Sequence, residues 1–470
     1  MSPTKYVGGA NSFARALRTI SVATAVVGMI LLILGTTGTG SVAAQDVEIN
    51  ETYGGTGTDT VFSVVETSDG GYALAGRTES FGPDGGYAPR PRDTDAWLMK
   101  TDSNGKVEFS KTYGGDAFDV AYSVVETSDG GFALAGNTGS FGSDDAWLIK
   151  TDENGNEIFN KTFGGESSED AYSVVETSDG GFALTGFTVS FGTEDEDASE
   201  SFDEGPDAWL IKTDENGNVE INETYGKESH DVAESVVQTS GGGYVLAGVT
   251  ESFGSGAWLV KTDTNGNEEF NETFSGADKM FSVIETSDEG YAMAGATAGL
   301  GSESSDVCLI KTDSDGNIEF NKAFGGEKDD RAFSVVETSD GGFAMAGRTN
   351  SSGSSSDDMG IVKTDTNGDV EFSKAFGGKE FDVASSVIEA SDGSLVLVGE
   401  TNSFGSGSSD AWLLKVSTDS DGGSDGFTDN TNEECKDSST GSQGMPGFTV
   451  LTALLVLVGL IAAIAGRKLT

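Results

Sequence analysis

The sequence predicts an all-β fold, a seven-bladed β-propeller with four strands in each blade. Two observations predict it. The segment Tyr122-Ser-Val-Val-Glu-Thr-Ser-Asp-Gly-Gly-Phe132 is one of seven near-copies, whose aligned serine falls at Ser63, Ser123, Ser173, Ser235, Ser282, Ser334 and Ser386. Spacings of 47 to 62 residues leave room for one four-stranded blade per repeat, and the repeats show no helical periodicity.

Taken in chain order, the first element is an export signal. Lys5, Arg15 and Arg18 precede an apolar run from Ile20 to Leu34, and small residues continue to Val42-Ala43-Ala44. This is the pattern of a secretory signal cut after Ala44, so residues 1–44 are set apart from the fold. No cysteine lies near the cut, which excludes a bacterial-type lipoprotein.

The second repeat shows the blade most clearly. Val120 to Thr127 mixes apolar and small residues, and the turn Ser128-Asp129-Gly130-Gly131 follows, with glycine supplying the positive φ of a tight hairpin. Phe132 to Gly136 and Ala146 to Ile149 are short apolar runs, as expected of inner strands covered on both faces. Beyond the turn Asp152-Glu-Asn-Gly-Asn156 comes a fourth strand, Glu157 to Phe163. Its counterpart Val107 to Tyr113 alternates like a strand with one wet face.

Counting fourth strands predicts how the ring closes. The motif occurs seven times, but its first copy, Val47-Glu-Ile-Asn-Glu-Thr-Tyr-Gly-Gly55, precedes the first repeat, and the last blade, Ser386 to Lys415, has none of its own. The N-terminal copy is expected to complete that blade, which removes an exposed edge and ties the two ends together. The propeller then covers residues 45–416.

Residues 417–445, rich in Ser, Asp, Gly and Thr, read as a disordered acidic stalk. Phe448 to Gly466 is a 19-residue apolar stretch followed by Arg467 and Lys468, about the length of a membrane span, with the basic pair cytoplasmic. Pro446-Gly447-Phe448 directly before such a stretch and a short basic tail resembles the archaeal PGF-CTERM surface-protein sorting signal, over residues 446–470. The resemblance implies processing by an archaeosortase and transfer to a lipid anchor; the plainer reading is an ordinary transmembrane anchor. The repeats themselves resemble uncharacterised propeller repeats of archaeal and bacterial surface proteins, and that resemblance implies no activity.

Composition narrows the partners. With 78 acidic against 27 basic residues the formal charge is −51, which suits a salt-adapted extracellular surface and argues against nucleic acid. A single histidine, His230, excludes a two-histidine mechanism or a His-rich metal site. Cys308 occupies the position held by Trp97, Trp147, Trp209, Trp258 and Trp412 and reads as a core filler, whereas Cys435 lies in the stalk. The expectation is no disulfide, because the stalk would have to reach a buried strand.

Two acidic patterns are candidates for chemistry. The turns beginning at Asp152, Asp214, Asp263, Asp313 and Asp365 space their oxygens as calcium loops do, but lack the distal bidentate glutamate and read as Asn-Gly or Asp-Gly hairpins. A carboxylate also stands four residues before every aligned serine: Asp59, Asp119, Glu169, Asp231, Asp278, Asp330 and Asp382. Either each caps its own loop, or the seven line one rim and hold a hard cation, Ca2+ or Mg2+. The variable loops between second and third strands fall on that same face. The long Glu79–Thr94 insert carries Arg90 and Arg92, and the long Val189–Pro206 insert is strongly acidic from Glu194 to Glu204.

Five Asn-x-Ser/Thr sequons, at Asn50, Asn160, Asn222, Asn271 and Asn350, are candidate glycosylation sites, four of them at one position of the outer strand. Together these readings point to a cell-surface, membrane-anchored propeller. It binds an extracellular glycan or envelope protein, or serves as an envelope structural module. The rival is an extracellular enzyme such as a carbohydrate-active hydrolase or lyase; against it, the carboxylates recur in every blade, whereas an active site should break the repeat.

Overall fold

The computed structural model describes residues 47–82, 94–191, 205–227, 229–298, 304–418 and 435. The signal sequence, the Arg90 and Arg92 insert, most of the acidic insert and stalk, the apolar C-terminal stretch and Pro446-Gly447-Phe448 lie outside the described residues. Among the described residues there are 28 strands, β1 to β28, in seven four-stranded antiparallel sheets.

The first blade is β2 (Asp59–Glu66), β3 (Tyr72–Thr78), β4 (Asp95–Thr101) and β5 (Val107–Tyr113), and the next five repeat it in order. The last sheet has the order β1 (Val47–Tyr53), β28 (Asp410–Val416), β27 (Leu395–Thr401), β26 (Asp382–Glu389). The N-terminal strand thus supplies the seventh fourth strand, paired from Asn50 opposite Leu414 to Tyr53 opposite Ala411. Closure in this way covers β28 and gives blade 7 the same four strands as the other blades.

The first strands of neighbouring blades touch one another all round the ring, β2 against β26 included, so they are the innermost. Cores lie between blades. Ala73, Ala75, Ala96 and Leu98 of blade 1 pack on Val124, Phe132, Leu134, Trp147 and Ile149 of blade 2. That explains why β3 and β4 are apolar nearly throughout: each of their faces meets a different blade.

The repeated residues also tie blade to blade. The aligned serine accepts from a valine N–H of the next blade, as in Val124 N to Ser63 Oγ at 3.2 Å and Val387 N to Ser334 Oγ at 3.1 Å. On the opposite face the glutamate ending six of the first strands takes the Ser backbone and hydroxyl of the preceding turn, and in blade 4 Gln238 takes the Ser178 backbone N–H at 2.8 Å. Glu126 holds Ser68, and Glu66 holds Ser391 across the closure at 2.8 and 2.9 Å. A bulge just before the aligned serine, between Val61 and Ser63, brings the first strand close to the second. Gly76 faces it there because a Cβ would sit 1.9 Å from the Thr60 carbonyl oxygen.

One expectation fails. Cys308 on β20 (Ser305–Thr312) is disulfide-bonded to Cys435, with Cα atoms 6.0 Å apart. The reason lies in the residue Cys308 replaces. In the tryptophan blades the indole fills this position opposite a threonine, as Trp97 does opposite Thr112; here Cys308 faces Ala323 of β21 (Ile318–Phe324). Two small side chains leave room for Cys435, which is 4% exposed within the cluster of Cys308, Ile310 and Ala323. Cys308 is buried as expected, and at Cys435 the acidic segment meets the ring.

Candidate ligand-binding site at the channel collar

The rim carboxylates point into the protein. Asp59 accepts from Gly55 N at 2.8 Å, from Ser80 Oγ at 2.5 Å and from the Thr78 hydroxyl. Asp119 and Asp382 repeat the arrangement with Gly115, Ser140 and Thr138, and with Gly378, Ser403 and Thr401. Glu169 takes Gly165 N and Ser190 N, Asp231 takes Lys227 N and Ser252 Oγ, and Asp330 takes Gly326 N and Ser351 Oγ. All six are fully buried. Their oxygens fasten the entering loop to the second-to-third loop, which is capping chemistry. Burial pushes the Asp330 carboxyl up from the usual carboxylate range despite its Ser351 bond.

The seventh, Asp278, is exposed instead, at the junction of blades 4 and 5. Asp152, Asp214, Asp263, Asp313 and Asp365 accept the backbone N–H groups two and four residues on, forming tight hairpins. Among the described residues no group of three or more His, Cys, Asp or Glu side chains is placed to hold a metal ion. His230 is exposed.

The side chains that break the repeat lie elsewhere, at the bulge. The residue before the aligned serine is Phe62, Tyr122, Tyr172, Glu234, Phe281, Phe333 and Ser385 in blades 1 to 7, half-buried in each. The bulge leaves it without a ladder partner and turns it out of the blade. Rings of successive blades meet edge to face or tilted: Phe62 and Tyr122 with centroids 5.5 Å apart, Tyr122 and Tyr172 at 5.3 Å, Phe281 and Phe333 at 5.0 Å. Since these residues sit on the innermost strands, they form an aromatic collar in two arcs, interrupted at Glu234 and Ser385.

Charged groups gather beside the first interruption. The residue after each rim carboxylate is Thr60, Val120, Asp170, Val232, Lys279, Arg331 and Val383, paired across to the second strand. Tyr172 donates to Asp170 Oδ2 at 3.1 Å and packs on Phe187 at 5.9 Å. Lys279 bridges the gap, ion-paired to Glu234 and 5.1 Å above the Phe281 ring. Burial first, then the negative charges of Asp170 and Glu234, push the Tyr172 phenol well above its ordinary value. Burial likewise raises the Asp170 carboxyl, which favours its protonated form. Across the ring Arg331 stands opposite Arg348, whose guanidinium is held by Asp357 at 2.8 Å.

This column is hard to see in the sequence because the positions alike in all seven repeats stand out and this one varies. The signal was available in the opposite property: aromatic in five copies, Glu and Ser in the other two.

A closed ring of seven four-stranded blades with an aromatic collar defines a β-propeller. The sequence matches no protein-family model and no curated protein. Among solved structures the chain is similar to the WD40 β-propeller domain of Doa1, at 13% identity over 80% of this chain and 97% of that one, with a TM-score of 0.50. It is also similar to YCF48 bound to D1 peptide, at 12% identity over 80% and 97% of the chains, TM-score 0.46. Identities this low speak to the fold alone.

Proposed function

We propose that this chain is a cell-surface, membrane-anchored binding module that takes an extracellular saccharide at the channel collar. The observation that carries the reading is the asymmetric stretch Tyr122, Tyr172, Glu234 and Lys279, where the repeat is broken among half-buried rings. Ring faces suit the apolar side of a sugar, and Asp170, Glu234 and the phenols suit its hydroxyls. Few cations are available for a phosphate backbone. The export signal, the apolar C-terminal stretch and its PGF tripeptide support surface anchoring and archaeosortase processing. So does the disulfide, which suits an oxidising compartment.

The test is binding of the full-length protein to a saccharide panel in concentrated salt, comparing wild type with Tyr172→Ala and Glu234→Gln. Loss of one stacked ring is expected to weaken binding by about 1 kcal/mol, roughly fivefold. Saccharides that bind neither form, or both alike, exclude the collar as their site. One observation favours a second reading as a glycoside-cleaving enzyme: two carboxylates break the repeat on successive blades, Asp170 bonded to the Tyr172 phenol and Glu234 paired to Lys279, and burial raises the first above the usual carboxylate range. Release of new reducing ends, abolished in Asp170→Asn, would distinguish catalysis from binding.

A further inference from the structure

The ring offers seven places for one ion pair and fills six of them: blade 4 alone lacks the acid. In the other blades the lysine near the end of the third strand meets the aspartate of the first turn: Lys100 with Asp69, Lys150 with Asp129, Lys212 with Asp179, Lys311 with Asp288, Lys363 with Asp340, Lys415 with Asp392. Each aspartate also accepts a backbone N–H two residues on, as Asp69 does from Gly71, and in five blades a threonine hydroxyl, as from Thr67. In blade 4 the turn reads Thr239-Ser240-Gly241-Gly242-Gly243, and no carboxylate stands there.

The donors remain. Thr239 Oγ1 turns to the Gly243 carbonyl at 3.4 Å, and Lys261 reaches across to the Ser314 carbonyl at 3.1 Å, with Glu269 at 3.7 Å. Lys261 is 22% exposed, against 3–8% for the six paired lysines. A cavity of about 410 Å³ opens here, lined by the blade 4 turn, Lys261, Glu269, Glu285, Glu289 and Tyr291. It lies on the face opposite the rim loops.

A second departure converges on the same cavity. Where the other first turns carry glycine at positive φ, blade 5 carries Glu289 at φ 67°. A side chain in that conformation is strained, and such strain is characteristic of functional positions. Both oxygens of Glu285 are taken by Ser240, at 2.8 and 3.0 Å, so exposed Glu289 is the acid left facing the opening.

We propose that this cavity binds an amino-acid-type zwitterion. Its carboxylate takes the place of the missing turn aspartate, meeting Lys261 Nζ, Thr239 Oγ1 and the Gly243 N–H, and its ammonium group faces Glu289. A simple anion is disfavoured, because Asp263, Glu269, Glu285 and Glu289 outnumber the one lysine. This site is separate from the collar and does not rest on the reading given for it.

The test is calorimetric titration of the full-length protein with L-lysine, which carries ammonium groups at two distances from its carboxylate. Acetate and 1,5-diaminopentane isolate the two charges. Lysine is expected to bind at least about tenfold more tightly than either control. Gly241→Asp restores the repeat; a Cβ there meets only Thr239 Oγ1, at 3.7 Å, so the turn accommodates it. That variant is expected to lose lysine binding by about tenfold or more with no fall in thermal midpoint. Glu289→Gly is expected to reduce lysine to the level of acetate. No lysine binding by wild type up to about 10 mM overturns the proposal. So does unchanged binding in Gly241→Asp, or diaminopentane binding as well as lysine.

Discussion

Single residues show how one repeat position serves different ends. Asp69, Asp129 and Asp179 are held down to about 2, first by hydrogen bonds from Lys100, Lys150 and Lys212, then by Thr67, Thr127 and Thr177. A folded value below the unfolded one stabilises above about pH 4, and that stabilisation is lost as pH falls through 4 towards 2. The thermal midpoint in fixed salt is therefore expected to drop over that interval, less steeply in Asp69→Asn. A midpoint flat from pH 4 to 2 would remove these pairs from the account of stability. The sequons obey a second local constraint. Asn50, Asn222 and Asn271 present Oδ1 to the indole N–H of Trp412, Trp209 and Trp258, at 2.8, 2.5 and 2.6 Å. That contact leaves Nδ2, the atom a glycan would occupy, unneeded by the indole. Peptide mass spectrometry of the native protein is expected to find hexose-bearing peptides at Asn50 and Asn222, the two that are exposed. Unmodified asparagine at all five sequons would contradict this.

At the scale of elements, the closing strand matters more than its length suggests. β1 pairs with β28 over its whole course, Trp412 donates to Asn50 of β1, and Tyr53 donates to the Gly105 carbonyl of blade 1 at 2.6 Å. Removing Val47 to Gly55 therefore uncovers an edge and breaks the link between the first and last blades. A truncated chain is expected to melt well below the intact one in the same salt; coincident melting curves would mean that the ring closes by other contacts. Hairpins were legible in the sequence because glycine at positive φ marks them, as at Gly70 with φ 82°. The bulge before each aligned serine was not, since it depends on how β2 meets β3. The collar it creates therefore appeared only with the pairing in place.

At the scale of the molecule, the formal charge of −51 is set against a ring held by many small inter-blade ties and one covalent link. The link joins residues 127 apart in sequence, with both cysteines inside the cluster between blades 4 and 5. Disulfides of this kind contribute about 2–4 kcal/mol. Cys435→Ser is expected to keep the β-sheet circular dichroism spectrum but lower the thermal midpoint, and wild type under reductant should approach the variant. A variant melting with wild type would assign the bond no part in stability. Seven hooks between blades, closed by Glu66 on Ser391, explain why the ring should survive loss of the bond.

The sequence by itself determined the blade number, the four strands of each, and the N-terminal strand that completes the last. Those follow from periodic local patterns, Gly turns and apolar runs, whose meaning does not depend on distant residues. It also exposed seven carboxylates without revealing their direction. Only the tertiary structure decided that six of them turn inward onto Thr, Ser and backbone N–H groups, because their partners lie about twenty residues away across a hairpin. Likewise it decided that Cys435 reaches Cys308, since the space for it exists only where Cys308 and Ala323 face each other in place of tryptophan and threonine. The collar and the Lys261 cavity belong to the same class. Each is made where one blade departs from the repeat while its neighbour's side chains stay in place, a relation set by packing between blades.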